Sequence, residues 1–178
     1  MPVRVIDTDP VSVSAAKGLG VDAVVGDALF LERQGDEGIV CFNFILHHLV
    51  ADTEVATKQL QSNAIAAWKD DGVKVFINEY IYESWFEGFS GWLIYQITKN
   101  KVLSLLGRAI SQFAPSLRAN TFGVGGRFRS RSEWHRIFEN VGFTLVDEAQ
   151  GEKEFISFPR RLLLIKEIRR DSFMLASA

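Results

Sequence analysis

The chain has 178 residues, 47% of them hydrophobic and 24% charged. That suits one globular domain over residues 1–178 with a single core, and excludes a disordered or fibrous chain. The formal net charge of −2 offers no broad attraction to nucleic acid or anionic lipid, since both need clustered Lys and Arg.

Val3 to Ile6 form a β-branched run ending in Asp7, and Asp9-Pro10 opens a helix, because Pro fits the first helical position. That helix is expected to reach Lys17 and stop at Gly18 or Gly20. Asp22 to Gly26 then read as a second strand ending at Gly26-Asp27. Gly38 to Phe44 is a nearly continuous apolar run, the pattern of a strand covered on both faces. Its one cysteine, Cys41, is expected to be a buried, reduced core residue; a lone thiol makes neither an internal disulfide nor a Cys-based metal site, and no metal is expected. After His47 and His48, Asp52 is expected to cap a helix in which Ala56, Leu60, Ala64, Ala67 and Trp68 recur at helical spacing up to Gly72. Val73 to Asn78 give another strand, closed by Glu79. Strand and helix alternate, which implies a parallel sheet.

From Tyr82 to Phe113 aromatic and aliphatic residues crowd into two helices or a bent one, a helical insertion at about 82–120. Gly88 to Thr98, its longest uncharged stretch, falls well short of the roughly 20 residues that span a bilayer. With no segment patterned as a signal peptide, the cytoplasm is the expected location. A glycine-rich loop at Phe122 to Gly126 leads to Ser130 and Glu133, spaced as a capping box. The helix they open, carrying Trp134, Ile137 and Phe138, ends at Gly142. Phe143 to Val146 and Arg161 to Ile168 are expected to pair as an antiparallel hairpin, with Asp171 to Ala178 frayed. Arg118, Arg127, Arg129, Arg131, His135 and Arg136 are read as a solvated face, a phosphate or carboxylate grip being the alternative.

Val-Ile-Asp-Thr-Asp-Pro at 5–10, Val-Gly-Asp-Ala at 25–28 and Cys-Phe-Asn-Phe-Ile-Leu-His-His-Leu at 41–49 resemble consecutive motifs of class I S-adenosylmethionine-dependent methyltransferases. The resemblance implies an α/β, Rossmann-like sheet, mostly parallel with an antiparallel C-terminal hairpin. It also implies S-adenosylmethionine as cofactor. Asp7 would then accept from the ribose hydroxyls, since a carboxylate offers two acceptor oxygens. Asp27 and Ala28 would meet the adenine, and Asn43 and Phe44 would lie under the methionine end. His47 matches the segment where small-molecule O-methyltransferases carry a base, and histidine can take a proton from an attacking hydroxyl. The implied acceptor is a small molecule. The aromatic insertion would cover it, or would serve instead as a packed helix pair or a homodimer surface.

In this family a first strand and a glycine-rich turn precede the segment that matches residues 5–10. Neither Gly18-Leu19-Gly20 nor Gly123-Val124-Gly125-Gly126 has the placement to replace that turn. The sequence is therefore read as an N-terminally incomplete methyltransferase domain. That family strand is central, so its neighbours must find other backbone partners. The competing reading is a degenerate, non-catalytic binding or scaffold protein. A dehydrogenase half is a third, disfavoured by Gly-Asp-Ala after the second strand.

Overall fold

The structure, a computed structural model, describes residues 2–30, 33–70, 72–113 and 123–178. The chain divides into two compact units, Met1–Glu37 and Gly38–Ala178. The first is a β-α-β unit of β1 (Arg4–Asp7), α1 (Pro10–Gly18) and β2 (Asp22–Val25). The strands pair in parallel, with Arg4 opposite Asp22 and Asp7 opposite Val25. α1 starts where the sequence says it should: the Asp9 carboxylate accepts from the N–H groups of Val11 and Ser12, two of the donors a helix start leaves orphaned. Gly20, at φ 79°, turns the chain out of the helix. Among the described residues of this unit, Val13 and Ala23 are the buried apolar ones.

The second unit contains β3 (Ile39–Asn43), α2 (Glu54–Ala66), β4 (Lys74–Ser84), α3 (Phe89–Lys99), α4 (Lys101–Phe113), α5 (Arg131–Asn140), β5 (Phe143–Ala149), α6 (Phe158–Arg161) and β6 (Ile165–Ser177). Its sheet runs β3-β4-β6-β5. β3 and β4 are parallel, while β6 is antiparallel to both β4 and β5. Two parallel pairs, and two antiparallel pairs that the C-terminal β6 makes with β4 and β5, give the α/β arrangement the sequence implied. Along β4 the side chains alternate, so Val75, Ile77, Glu79 and Ile81 are buried while Phe76, Asn78, Tyr80 and Tyr82 are half-buried. Val75 and Ile77 lie opposite Leu175 and Phe173, and Phe138 of α5 meets Phe173 edge-on with ring centroids 5.3 Å apart. α5 carries the expected capping box: Ser130 Oγ accepts from Glu133 N–H, and Glu133 Oε2 from Ser130 N–H.

Several expectations are corrected. Asp171 to Ala178 is not a frayed tail, because all but Ala178 belongs to β6, in the interior of the sheet. The charges that hide this strand neutralise one another, with Asp171 fully buried and accepting from Arg169 Nε at 2.9 Å and from Gly151 N–H at 3.2 Å. Residues 158–161 form a helical turn rather than a strand start. β5 runs on to Ala149, past a register shift at Leu145/Asp147. β4 continues past Glu79 to Ser84, because its outer half pairs with β6 down to Ile165. α2 is capped by Thr53, whose Oγ1 accepts from Ala56 N–H, not by Asp52. Cys41 is exposed: β3 buries only Phe42, so Cys41 falls on the opposite, uncovered side of the pleat, where partial burial still raises its thiol pKa.

Candidate functional site

In the second unit the chain changes direction at the carboxyl end of β3. Asn43 and Asn78 of β4 face each other in register and are joined by an amide hydrogen bond, Asn78 Nδ2 donating to Asn43 Oδ1 at 2.9 Å. Phe44 N–H donates to Asn78 O at 2.9 Å, and Phe44 adopts φ 54°. Left-handed backbone at a bulky residue is costly and persists only where its surroundings enforce it. Its ring lies 5.0 Å from that of Tyr80, and the Arg170 guanidinium stands over both rings, 5.0 Å from Tyr80 and 5.7 Å from Phe44.

The strained residue delivers the chain into a single 3-10 turn, Leu46–His48. The turn is pinned from three sides. Gln61 Nε2 of α2 donates to Leu46 O at 2.9 Å, Arg127 N–H donates to His47 O at 2.8 Å, and Leu46 N–H donates to Glu79 Oε1 at 2.7 Å. Glu79 is fully buried, and its other oxygen lies 2.7 Å from His47 Nδ1 and 3.2 Å from the Tyr80 N–H that donates to it. A buried carboxylate is tolerable only when hydrogen-bonded, and here backbone and imidazole donors meet both oxygens. Against a carboxylate, Nδ1 must carry hydrogen, so the neutral imidazole keeps its lone pair on Nε2. His47 is 5% exposed. Its ring stacks on Phe128 at 4.6 Å, lies 4.1 Å from His48 and meets Tyr80 edge-on at 6.1 Å. Burial, reinforced by His47, lowers the pKa of His48. Tyr82 stacks on the far side of the group against Phe128 at 4.4 Å, and burial pushes its phenol up to about 12. The arrangement is an oriented imidazole in an aromatic surround, suited to accepting a proton from a hydroxyl.

Asn43, Phe44 and His47 thus come together with Glu79, which the sequence marks only as a strand end. Its signal was a lone carboxylate inside the apolar run Val-Phe-Ile-Asn-Glu-Tyr-Ile at 75–81, a residue that needs a buried partner. In the first unit, Asp7 ends β1 and Gly26-Asp27 follow β2 at the same edge, with Gly26 N–H donating to Asp7 O at 3.0 Å. Asp7 Oδ1 accepts from Asp9 N–H at 2.8 Å and Asp27 Oδ1 from Leu29 N–H at 2.9 Å. Asp27 is exposed and Ala28 half-buried.

The arginine cluster is not the solvated face expected. Arg127 and Arg129 are 3% and 2% exposed and share Glu54 and Glu133 at 2.6–3.3 Å. Arg129 Nε also donates to Gln61 Oε1 at 2.5 Å, which ties the cluster to the residue that pins Leu46. Arg131 and His135 meet Glu148, and Arg136 meets Glu87. The grip is on carboxylates of the chain itself. Arg118 lies outside the described residues.

No family model matches the chain, and no curated protein does. Solved structures do. The chain is similar to OxaC at TM-score 0.54 and 16% identity over 99% of its length and 36% of that chain, and OxaC has also been crystallised with SAH and oxaline. It is similar to the MccD protein at TM-score 0.58 and 14% identity, over 99% of its length and 80% of that chain. A SAM-dependent methyltransferase from Methanosarcina mazei gives TM-score 0.55 and 10% identity, over 99% and 82%. The chain therefore spans about a third of OxaC and most of the other two. At these identities the likeness is one of fold.

Proposed function

On the premise that the chain has the class I methyltransferase fold, we propose that it takes part in methyl transfer from S-adenosylmethionine to a hydroxyl of a small-molecule acceptor. The observation that carries the reading is the Glu79–His47 pair, 2.7 Å apart and buried. Glu79 holds His47 in the Nδ1–H form. Nε2 then takes the hydroxyl proton as the acceptor oxygen attacks, and Glu79 stabilises the imidazolium that results. Phe44 and Tyr80 offer ring surface for a flat acceptor, while Phe128, stacked between His47 and Tyr82, keeps water from the imidazole.

The residues present fit the adenosyl end of the cofactor. Asp7 is half-buried, and its Oδ2 accepts no hydrogen bond from the described residues, as is also true of Asp27. Asp7 would hold the ribose hydroxyls, and Asp27 and the Ala28 N–H the adenine. The cofactor, when bound, supplies a methyl group activated by a sulfonium.

The test is calorimetric titration with S-adenosylmethionine, adenosine and methionine, followed by turnover with simple phenols, read as release of S-adenosylhomocysteine. Asp7→Ala is expected to weaken adenosine binding about ten- to a hundredfold, since a hydrogen bond to a charged acceptor is worth about 1.5–3 kcal/mol. His47→Ala is expected to leave binding intact and remove turnover. Wild-type turnover in His47→Ala would reject the base. A folded chain silent toward all three ligands would favour the non-catalytic scaffold.

A further inference from the structure

Three consecutive charged residues, Arg169, Arg170 and Asp171, sit inside β6. Successive residues of a strand point to opposite faces. Arg169 and Asp171 share one face, where both are buried and pair with each other at 2.9 Å. Arg170 emerges on the other, directly across the ladder from Tyr80 of β4. That register places its guanidinium 5.0 Å from the Tyr80 ring and 5.7 Å from the Phe44 ring. The Tyr80 ring in turn lies 6.1 Å from the imidazole of His47, so a cation stands one ring away from the proposed base.

Much of that cation is unpartnered. The Arg170 side chain is 56% exposed, and its ion pair is made by Nε alone, with Glu154 Oε1 at 3.4 Å, longer than a good hydrogen bond. Its two terminal nitrogens make no hydrogen bond or ion pair with any described residue. They belong to the planar fork that matches a carboxylate or a phosphate. Glu154 decides between the two, since an anion brought beside it is repelled less with one charge than with the nearly two of a phosphate. The other carboxylates close by do not compete for Arg170. Glu79 is met by Leu46 N–H, Tyr80 N–H and His47, and Asp171 is held by Arg169 on the opposite face.

We propose that Arg170 selects the acceptor and that this acceptor is a hydroxylated aromatic carboxylic acid. Its carboxylate meets the guanidinium fork, its ring lies along Phe44 and Tyr80, and its hydroxyl meets His47 Nε2. The proposal rests on the methyl-transfer reading above and names the substrate class for it. The experiment is calorimetric titration of the full 178-residue chain at neutral pH, with S-adenosylhomocysteine present, against 4-hydroxybenzoate and its uncharged methyl ester. The wild type should bind the acid about fivefold or more tightly than the ester, the upper range for an exposed ion pair. Arg170→Gln should bring that ratio to about one with an unchanged thermal midpoint, because the side chain is exposed. Glu154→Gln should raise the ratio, because it removes a competing anion; a pair that only braces the fold gives no such rise. A wild-type ratio of about one, a ratio that survives Arg170→Gln, or silence toward both probes overturns the proposal. Turnover is read separately as release of S-adenosylhomocysteine. Equal turnover of acid and ester keeps the base and overturns the selection, whereas Arg170-dependent binding of the acid without turnover keeps the selection and overturns methyl transfer.

Discussion

Replacing Glu79 by Gln changes one atom and reverses the hydrogen-bond arithmetic at His47. The carboxylate takes Leu46 N–H on Oε1 and both His47 Nδ1 and Tyr80 N–H on Oε2, whereas a Gln side chain has one acceptor oxygen and one NH2. If its oxygen serves Leu46, the NH2 faces Nδ1. The imidazole must then accept there and carry its proton on Nε2, and Tyr80 N–H loses its partner. If its oxygen serves His47, two N–H donors confront each other at Leu46. Either way a buried N–H goes unmet, at a cost of about 1–3 kcal/mol, or about 2–12 °C in midpoint for a chain of this size. The first arrangement also removes the base, worth about 10²–10⁴ in rate. The assay is long-range 1H–15N correlation on 15N-histidine-labelled protein above neutral pH. The wild type should show His47 with hydrogen on Nδ1, and Glu79→Gln should show it on Nε2. The same tautomer in both would refute the assignment.

Three further outcomes follow from the geometry. Arg129→Met leaves Glu54 and Glu133 to Arg127 and the buried Gln61 Oε1 without its donor, and should cost about 1–3 kcal/mol in urea denaturation, the cost of a buried polar group left unmet. Gly91→Ala drives a Cβ into the Phe128 carbonyl oxygen, so it should cost about 1–3 kcal/mol and disturb the ring stacked on His47, whereas Gly18→Ala, in open space, should be near neutral by thermal melt. His48 titrates below its ordinary 6.5 because burial disfavours its charged form, so the unfolded chain binds the proton more readily. His48 therefore takes nothing from stability above pH 6.5 and makes it fall as pH drops below that value toward the lowered pKa. His48→Gln should flatten that slope in urea midpoints taken at about pH 7.5 and about pH 5.5.

What the sequence displayed was periodicity. The ends of β1 and β3, the Asp9 cap and the Ser130–Glu133 capping box are each encoded within a few residues, and each appears in the structure within a residue of its expected place. What it concealed was compensation between distant residues. Asp171 reads as the start of a frayed tail until it is seen to take Arg169, and Arg127 and Arg129 read as a solvated face until Glu54, more than seventy residues away, is placed beside them. Glu79 belongs with these: its partner His47 is 32 positions distant, and nothing local announces the pairing. Cys41 erred the other way, since an apolar run cannot say which side of a strand is covered.

The interior position of β6 sets a timetable for biosynthesis. Val75 of β4 pairs with Leu175, a hundred residues later, which at about 5–20 residues per second keeps the partner unmade for about 5–20 s. For that interval β4 has β3 on one side and, on the other, a bare row of amides and carbonyls beside Val75, Ile77 and Ile81. Such an edge recruits strands from neighbouring nascent chains, so yield in a cell should respond to translation speed and chaperone supply more than the stability of the finished fold would suggest.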